Sequence, residues 1–393
     1  MVVWIYGGGF NIGSASMANY SGEPLAKAGV IRVNIAYRVG PLGFFAHPEL
    51  SRESGYNGSG NYGLMDQLAA LRWVQKNIAA FGGDPAEVTL FGESAGAIGV
   101  TTILAQPEAK GLFARAIVQS GVGLLDPAPL AQQERSGLAL AGRAGAEADA
   151  TLADLRALPA AALVAAGEER VPGAMPGPIL DGMLVREAPW RTFARKEIID
   201  VPLLIGANSN EASVILAMGV PPAMALTYLG FDPSAGRAAY GSALADDELA
   251  RQILGDAWFV APARWLAART AGGSPSYLYH FDYVAAARRD QAKGAAHGSE
   301  IPYLFGTLDY FASLAGPVDD EDRRFGEAMS ACWVAFAKGG APRCSLVPDW
   351  PRYSEDDDRL AWLSPRSAVA PGFRKAQLDH LLKVHFGNAG ATP

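Results

Sequence analysis

Apolar residues along this chain gather in short continuous runs that break into glycine or small polar residues, and between them lie longer stretches where alanine and leucine recur at helical spacing. The runs at 1–6, 88–91 and 201–205 predict buried strands, and the alternating aromatics of 276–283 predict another. A further apolar run covers 116–118. Helices are predicted from Leu64 onward, over 97–104, within 130–169 and 231–271, and over 377–386, the last a terminal amphipathic helix. The longest uncharged apolar run, 212–231, holds Gly219, Pro221 and Pro222 in its middle, which would break a spanning helix. It is expected to form a lid or pocket wall, with no membrane span.

A chain of 393 residues with 50% hydrophobic content can bury a large core, and no low-complexity linker divides it. One catalytic domain over 1–393 is expected, with helical insertions at about 126–170 and 212–275 that cap the sheet and shape an entrance. The net charge of −7 comes from 33 basic and 40 acidic residues without a basic cluster, so nucleic acid is not an expected partner. Cys332 and Cys344 are too few for a disulfide framework and lack metal-site spacing, so free thiols, a cytoplasmic location and no metal are expected. Export stays open should a further segment precede Met1.

The run at 88–91 leads into Gly92-Glu93-Ser94-Ala95-Gly96 and then a small-residue helix. A serine on such a strand–turn–helix occupies a strained backbone position, and its neighbours two residues away must be nearly free of side chain. The turn also aims the first helical amides at the place where an acyl-transfer oxyanion develops, so Ala95 is a candidate donor. Gly7-Gly8-Gly9-Phe10 leaves the first apolar run, and the amides of Gly8 and Gly9 would complete that oxyanion hole. Phe10 is a candidate for either the acyl pocket or the core.

A serine nucleophile needs a histidine base and a carboxylate to orient it, in the chain order Ser, acid, His. His47 precedes Ser94, His280 lies in the aromatic strand, and His380 and His385 lie in the terminal helix. His297 remains, in a loop of small residues that lets its imidazole approach the serine. The acid is expected where a strand ends between the two, and Glu211 follows the run at 201–205. Asp181 falls in a turn, Asp200 precedes the strand, and Glu300 follows the histidine, where it suits a supporting role. Ser120 and Glu93 are the other candidate supporting residues, Glu93 as a buried hydrogen-bonding group.

With Tyr6-Gly7-Gly8-Gly9-Phe10, Phe91-Gly92-Glu93-Ser94-Ala95-Gly96, Gly206-Ala207-Asn208-Ser209-Asn210-Glu211 and His297-Gly298-Ser299-Glu300-Ile301 in one order, the chain resembles the type-B carboxylesterases, which include the cholinesterases. The likeness extends through Asn61-Tyr62-Gly63-Leu64-Met65-Asp66-Gln67, Trp333-Val334-Ala335-Phe336 and Trp350-Pro351-Arg352-Tyr353, over almost the whole chain. It implies an α/β-hydrolase fold with a mostly parallel central sheet flanked by helices, and ester hydrolysis through an acyl-enzyme. Ser94, Glu211 and His297 are the implied triad. A small-molecule ester is the implied partner, tolerance of bulky alcohol groups follows from the glycine triplet, and no cofactor is implied.

Three departures stand out. Tyr6 replaces a common histidine, Ala212 replaces a common glycine, and the resembling proteins carry an N-terminal stretch ahead of the glycine loop. Without that stretch an edge strand is expected to lose its neighbour, inviting association, so a monomer or weak homo-oligomer is expected.

Other classes weigh less. Gly58-Ser59-Gly60-Asn61-Tyr62-Gly63 fits a dinucleotide-binding pattern, but polar, turn-rich residues precede it where a strand is required. Carbamate or amide hydrolysis would use the same triad. A catalytically silent binding protein is expected to lack the serine, which is present here.

Overall fold

In the computed structural model the N-terminal apolar run forms β1 (Val2–Ile5), which lies inside the sheet and is paired on both sides. The structure describes residues 1–121, 124–169, 176–228, 231, 233–270 and 272–388. Beside β1 stand the short strand β2 (Arg32–Asn34) and β3 (Thr89–Glu93). The sheet continues through β4 (Arg115–Gln119) to the later strands, with β5 (Ala128–Pro129) and β6 (Ile179–Leu180) set apart as a small parallel pair. It is completed by β7 (Leu203–Asn208), β8 (Ser276–Phe281), β9 (Arg359–Leu363) and β10 (Ala368–Pro371). The eight-stranded order is β10-β9-β8-β7-β4-β3-β1-β2, parallel throughout except for β10 against β9.

Every residue of β1, β3, β7 and β8 is buried, the signature of a parallel sheet covered on both faces. The aromatic runs supply the filling. Trp4 packs edge-on to Phe91 and Phe305 at centroid distances of 4.6 and 5.0 Å, joining two strands to the helix Ile301–Phe305. The edge strand β2 has three residues, and shortness limits how much unpaired backbone an edge offers.

The helical stretches form where the spacing predicts them. Tyr62–Asn77 and Ala95–Leu104 flank the sheet, and Leu130–Arg143, Leu152–Ala157 and Ala160–Glu168 fall within the stretch expected as the first insertion. In the stretch expected as the second, the run at 212–231 is broken into Ser213–Ala217 and Pro222–Tyr228, with Gly219 between them at φ 76°. Pro233–Tyr240, Asp246–Gly255 and Ala261–Ala267 follow. Residue 170 of the first expected insertion and residues 229, 230, 232 and 271 of the second lie outside the described residues. No helix among the described residues is long and apolar enough to cross a membrane. The dinucleotide-like pattern follows the helix Pro48–Glu53, not a strand, and the Asn61 side chain within it is spent on the backbone of Ile179.

The cysteines correct an expectation. Cys332 and Cys344 are joined in a disulfide, not left as free thiols. The helix Asp320–Gly339 ends at Gly340, whose φ of 72° turns the chain back and brings the two Cα atoms within 4.9 Å. That reversal is a tertiary event which a count of two cysteines does not reveal.

Candidate active site

Pairing aligns the carboxyl ends of the central strands, with Gly92 opposite both Ile5 and Val118, and Gln119 opposite both Glu93 and Gly206. Side chains from several strands therefore meet at one edge, where α/β sheets place their sites. Ser94 follows β3 directly at φ 54°, ψ −123°, and the helix Ala95–Leu104 starts on the next residue. A non-glycine residue at such angles is strained, and the surroundings must hold it there. Its amide donates to Gln119 O at 2.9 Å, and its carbonyl accepts from Ile98 N at 3.0 Å. The flanking glycines are steric requirements. A Cβ on Gly92 would lie 2.4 Å from the Gly96 carbonyl, and one on Gly96 would lie 2.0 Å from Ile5 O.

The glycine loop leaves β1 beside this turn. A Cβ on Gly7 would stand 3.0 Å from Ser94 Cβ, which fixes the proximity of loop and serine. Tyr6 and Tyr37 stack at 4.5 Å, and each hydroxyl donates to the other's carbonyl oxygen at 2.8 and 2.9 Å. This reciprocal pair anchors the loop at the position where Tyr6 departs from the commoner histidine. Gly8 takes φ 110° and accepts from Asn11 N and Ile12 N, which curls the loop. The amides of Gly8, Gly9 and Ala95 donate to no group among the described residues. Phe10 is buried against Phe44 at 5.0 Å and belongs to the core.

Glu211 and His297 come from loops laced together after β7 and β8. Asn210 N donates to Ala295 O, Ala295 N to Ser209 Oγ, and His297 N to Ser213 Oγ, at 2.8, 2.8 and 2.9 Å. The side chains meet directly, with His297 Nδ1 2.5 Å from Glu211 Oε2. The other carboxylate oxygen, Oε1, accepts from Asn208 N at 2.6 Å. Nδ1 is therefore the protonated nitrogen, leaving Nε2 as the lone-pair end of the neutral ring. Nε2 is buried, has no hydrogen-bond partner among the described residues, and lies 3.3 Å from Oε1 of Glu93, the residue before Ser94.

Three buried carboxyl groups surround one imidazole. Burial works against charge on His297, but Glu211 and Glu93, with Glu300 behind them, outweigh it and raise the ring's pKa to about 9. Burial pushes Glu93 up to about 8, helped by Glu300 and Glu211 and opposed by His297. Glu300 is also raised by burial, against the hydrogen bond it receives from Asn208.

Glu300 reaches Glu211 indirectly. Its oxygens accept from Gln119 Nε2 at 2.7 Å and the side-chain Nδ2 of Asn208 at 2.6 Å, and the backbone N–H of that same asparagine donates to Glu211. Trp333 Nε1 in turn donates to Gln119 Oε1 at 2.8 Å. Sequence reasoning missed Gln119, Asn208 and Trp333, although Asn208 stands in the quoted segment before Glu211. Two supporting roles differ from expectation. Ser120, at φ 50° after β4, buries an Oγ with no hydrogen-bond partner among the described residues, so it does not bond Glu211 or His297 as expected. Glu93 is buried, but its Oε1 faces the imidazole without a hydrogen bond.

The competing groups are occupied elsewhere. Asp181 accepts from Met183 N and Val185 N within its turn, and Asp200 accepts from Ser274 N. His47 caps the helix Pro48–Glu53, His385 packs on Trp190, and burial lowers His280 to about 3 inside β8.

A strained serine after a central strand, unspent amides beside it and a histidine–carboxylate pair at the same sheet edge define a serine hydrolase of the α/β-hydrolase class. The carboxylesterase family profile matches residues 1–232 and 240–380, and the chain belongs to that family. It is 37% identical over 376 residues to the fumonisin B1 esterase of Sphingopyxis macrogoltabida, covering 90% of this chain and 67% of that protein. To the para-nitrobenzyl esterase of Bacillus subtilis it is 35% identical over 370 residues, covering 91% and 74%. Among solved structures, a Geobacillus stearothermophilus carboxylesterase superposes with a TM-score of 0.84 at 32% identity, over 96% of this chain and 81% of that one. A PNB esterase gives 0.81 at 30%, over 97% and 81%. The protein is a carboxylic ester hydrolase working through a serine.

Proposed function

We propose that Ser94 is the nucleophile, His297 the general base and acid, and Glu211 the carboxylate that holds the imidazole, with the amides of Gly8, Gly9 and Ala95 as the oxyanion hole. The 2.5 Å contact between His297 Nδ1 and Glu211 Oε2 carries this reading, because it fixes the tautomer that leaves Nε2 able to accept a proton. Nε2 takes the Ser94 proton as Oγ attacks the ester carbonyl. The resulting oxyanion is met by the three amides, and the tetrahedral centre collapses as the imidazolium protonates the departing alcohol. Water, deprotonated by the same nitrogen, then attacks the acyl-enzyme. The acid leaves, and Ser94 Oγ regains its proton.

Space beside the glycine loop supports tolerance of bulky alcohol groups, since a Cβ on Gly9 would meet nothing within 4 Å among the described residues. One catalytic unit over 1–393 is supported by a main core that runs from Val2 to Phe386. All the proposed groups come from one chain, so a monomer or weak homo-oligomer suffices. The disulfide supports an oxidising compartment over the reducing cytoplasm expected from the cysteine count. The reading is tested by Ser94→Ala, which should lower kcat on p-nitrophenyl esters by several orders of magnitude. A loss under about tenfold would remove Ser94 from the nucleophile role.

A further inference from the structure

The pair Glu211–His297 is buttressed by a single helical rod with a defect in it. Helix Asp246–Gly255 runs into a π-helical turn, Asp256–Val260, and then into Ala261–Ala267 without a break. Ala261 N donates to Asp256 O, five residues back, and Pro262 has no N–H to restore the α pattern. The turn widens the helix by one residue and changes which side chains face the sheet. Just before it, the rod touches the acid: a Cβ on Gly255 would lie 3.5 Å from Glu211 Cβ and 3.4 Å from Ala212 N. Within it, Phe259 is buried and lays its ring 5.1 Å from that of His297, tilted by 54°.

The turn is locked from outside the rod. Asp256 is buried, and its Oδ2 accepts from Tyr240 OH at 2.6 Å and forms an ion pair with Arg374 Nη2 at 2.7 Å. Arg374 also donates to Gln252 Oε1 at 3.2 Å, one turn earlier on the same rod. Arg251 Nη1 donates to Asn210 Oδ1 at 2.6 Å, tying the rod to the acid loop.

The imidazole needs such a support. Its backbone is held by Ser213 and its Nδ1 by Glu211, but a ring held at one atom still swings about that contact, and Glu93 Oε1, 3.3 Å away, draws Nε2 toward it whenever a proton lies between the two. We propose that Phe259 is a positioning residue for His297: presented by the π turn and locked by Asp256, it holds the imidazole in the plane where Nε2 serves Ser94 and keeps it from settling onto Glu93. The proposal rests on the triad reading above.

The test uses the full chain with Phe259→Ala, Phe259→Leu and Asp256→Asn. It measures kcat and KM on p-nitrophenyl acetate, and the far-downfield proton NMR signal of the Nδ1–H bonded to Glu211. Ser94→Ala serves as the control for the triad itself: if it stays active, the triad reading fails whatever the other variants do. With that control inactive, Phe259→Ala should lose about 10- to 100-fold in kcat, the cost of a misplaced catalytic group, with KM within about threefold and the downfield signal broadened or lost. Phe259→Leu, still bulky and apolar, should recover most of the rate and the signal. Should Phe259→Ala fail to fold, Asp256→Asn carries the test, with the same drop in kcat and loss of signal in smaller measure. An unchanged kcat and signal in Phe259→Ala, or in Asp256→Asn where that variant carries the test, would overturn the proposal. So would a loss expressed mainly in KM, because Phe259 would then be a wall for substrate.

Discussion

Glu93 Oε1 stands 3.3 Å from His297 Nε2, on the far side of a ring whose Nδ1 is 2.5 Å from Glu211, so the imidazole sits between two carboxyl groups. Both stabilise the imidazolium, yet in the proposed role His297 must be neutral to accept the Ser94 proton. Because the pKa is raised to about 9, the active fraction declines as pH falls through that value, and kcat/KM should still be rising between pH 7 and 9. Glu93, pushed up to about 8, titrates together with the histidine. Removing its charge with Glu93→Gln takes away one force that raises the imidazole, so the acid limb should move to lower pH. A pH profile of both proteins from 5 to 10 checks this. An acid limb at or below 6.5 in the unaltered protein, or an upward move in Glu93→Gln, would contradict it.

Gln119 links the end of β4 to two helices, Ile301–Phe305 and Asp320–Gly339. It donates to Glu300 and accepts from Trp333, all three fully or nearly fully buried. Gln119→Leu leaves a carboxylate oxygen and an indole N–H without partners, at a cost of about 1–3 kcal/mol for each buried group left unsatisfied. Urea unfolding should show that loss, with a drop in kcat as Asn208 and Glu211 relax. Unchanged stability would mean that water takes over the bonds.

The Cys332–Cys344 disulfide closes a loop of 12 residues at the end of the helix that carries Trp333. Such a bridge contributes about 3 kcal/mol. Cys332→Ala combined with Cys344→Ser should lower the Tm by several degrees while kcat at 25 °C stays within about twofold, since neither sulfur touches the site. An unchanged Tm would argue that the loop is held by packing alone.

The outline of the proposed site is legible in the sequence because its demands are local. Gly92 and Gly96 bracket Ser94 for steric reasons that any such turn imposes, and Glu211 follows an apolar run that could only be a buried strand. His297 emerged by excluding histidines whose surroundings placed them in a strand, a terminal helix or the wrong order. What escaped depends on partners far apart in the chain. Gln119 meets Glu300 and Trp333 across 181 and 214 residues, and Asn208 meets Glu300 across 92. A π turn adds one residue to a helix, and apolar spacing over a dozen residues does not register it. The raised pKa of His297 was equally hidden: a value near 6 to 7 follows from an imidazole with ordinary surroundings, whereas here Glu93 lies beside its free nitrogen. The disulfide needed the chain reversal at Gly340.

The central claim is that Ser94 is acylated during turnover. Treating the folded protein with a fluorophosphonate and mapping the adduct by peptide mass spectrometry tests it most directly. A single adduct on Ser94, abolished in Ser94→Ala and strongly slowed in His297→Ala, is the predicted result. Folded, ester-hydrolysing protein that carries no label on Ser94 would contradict it.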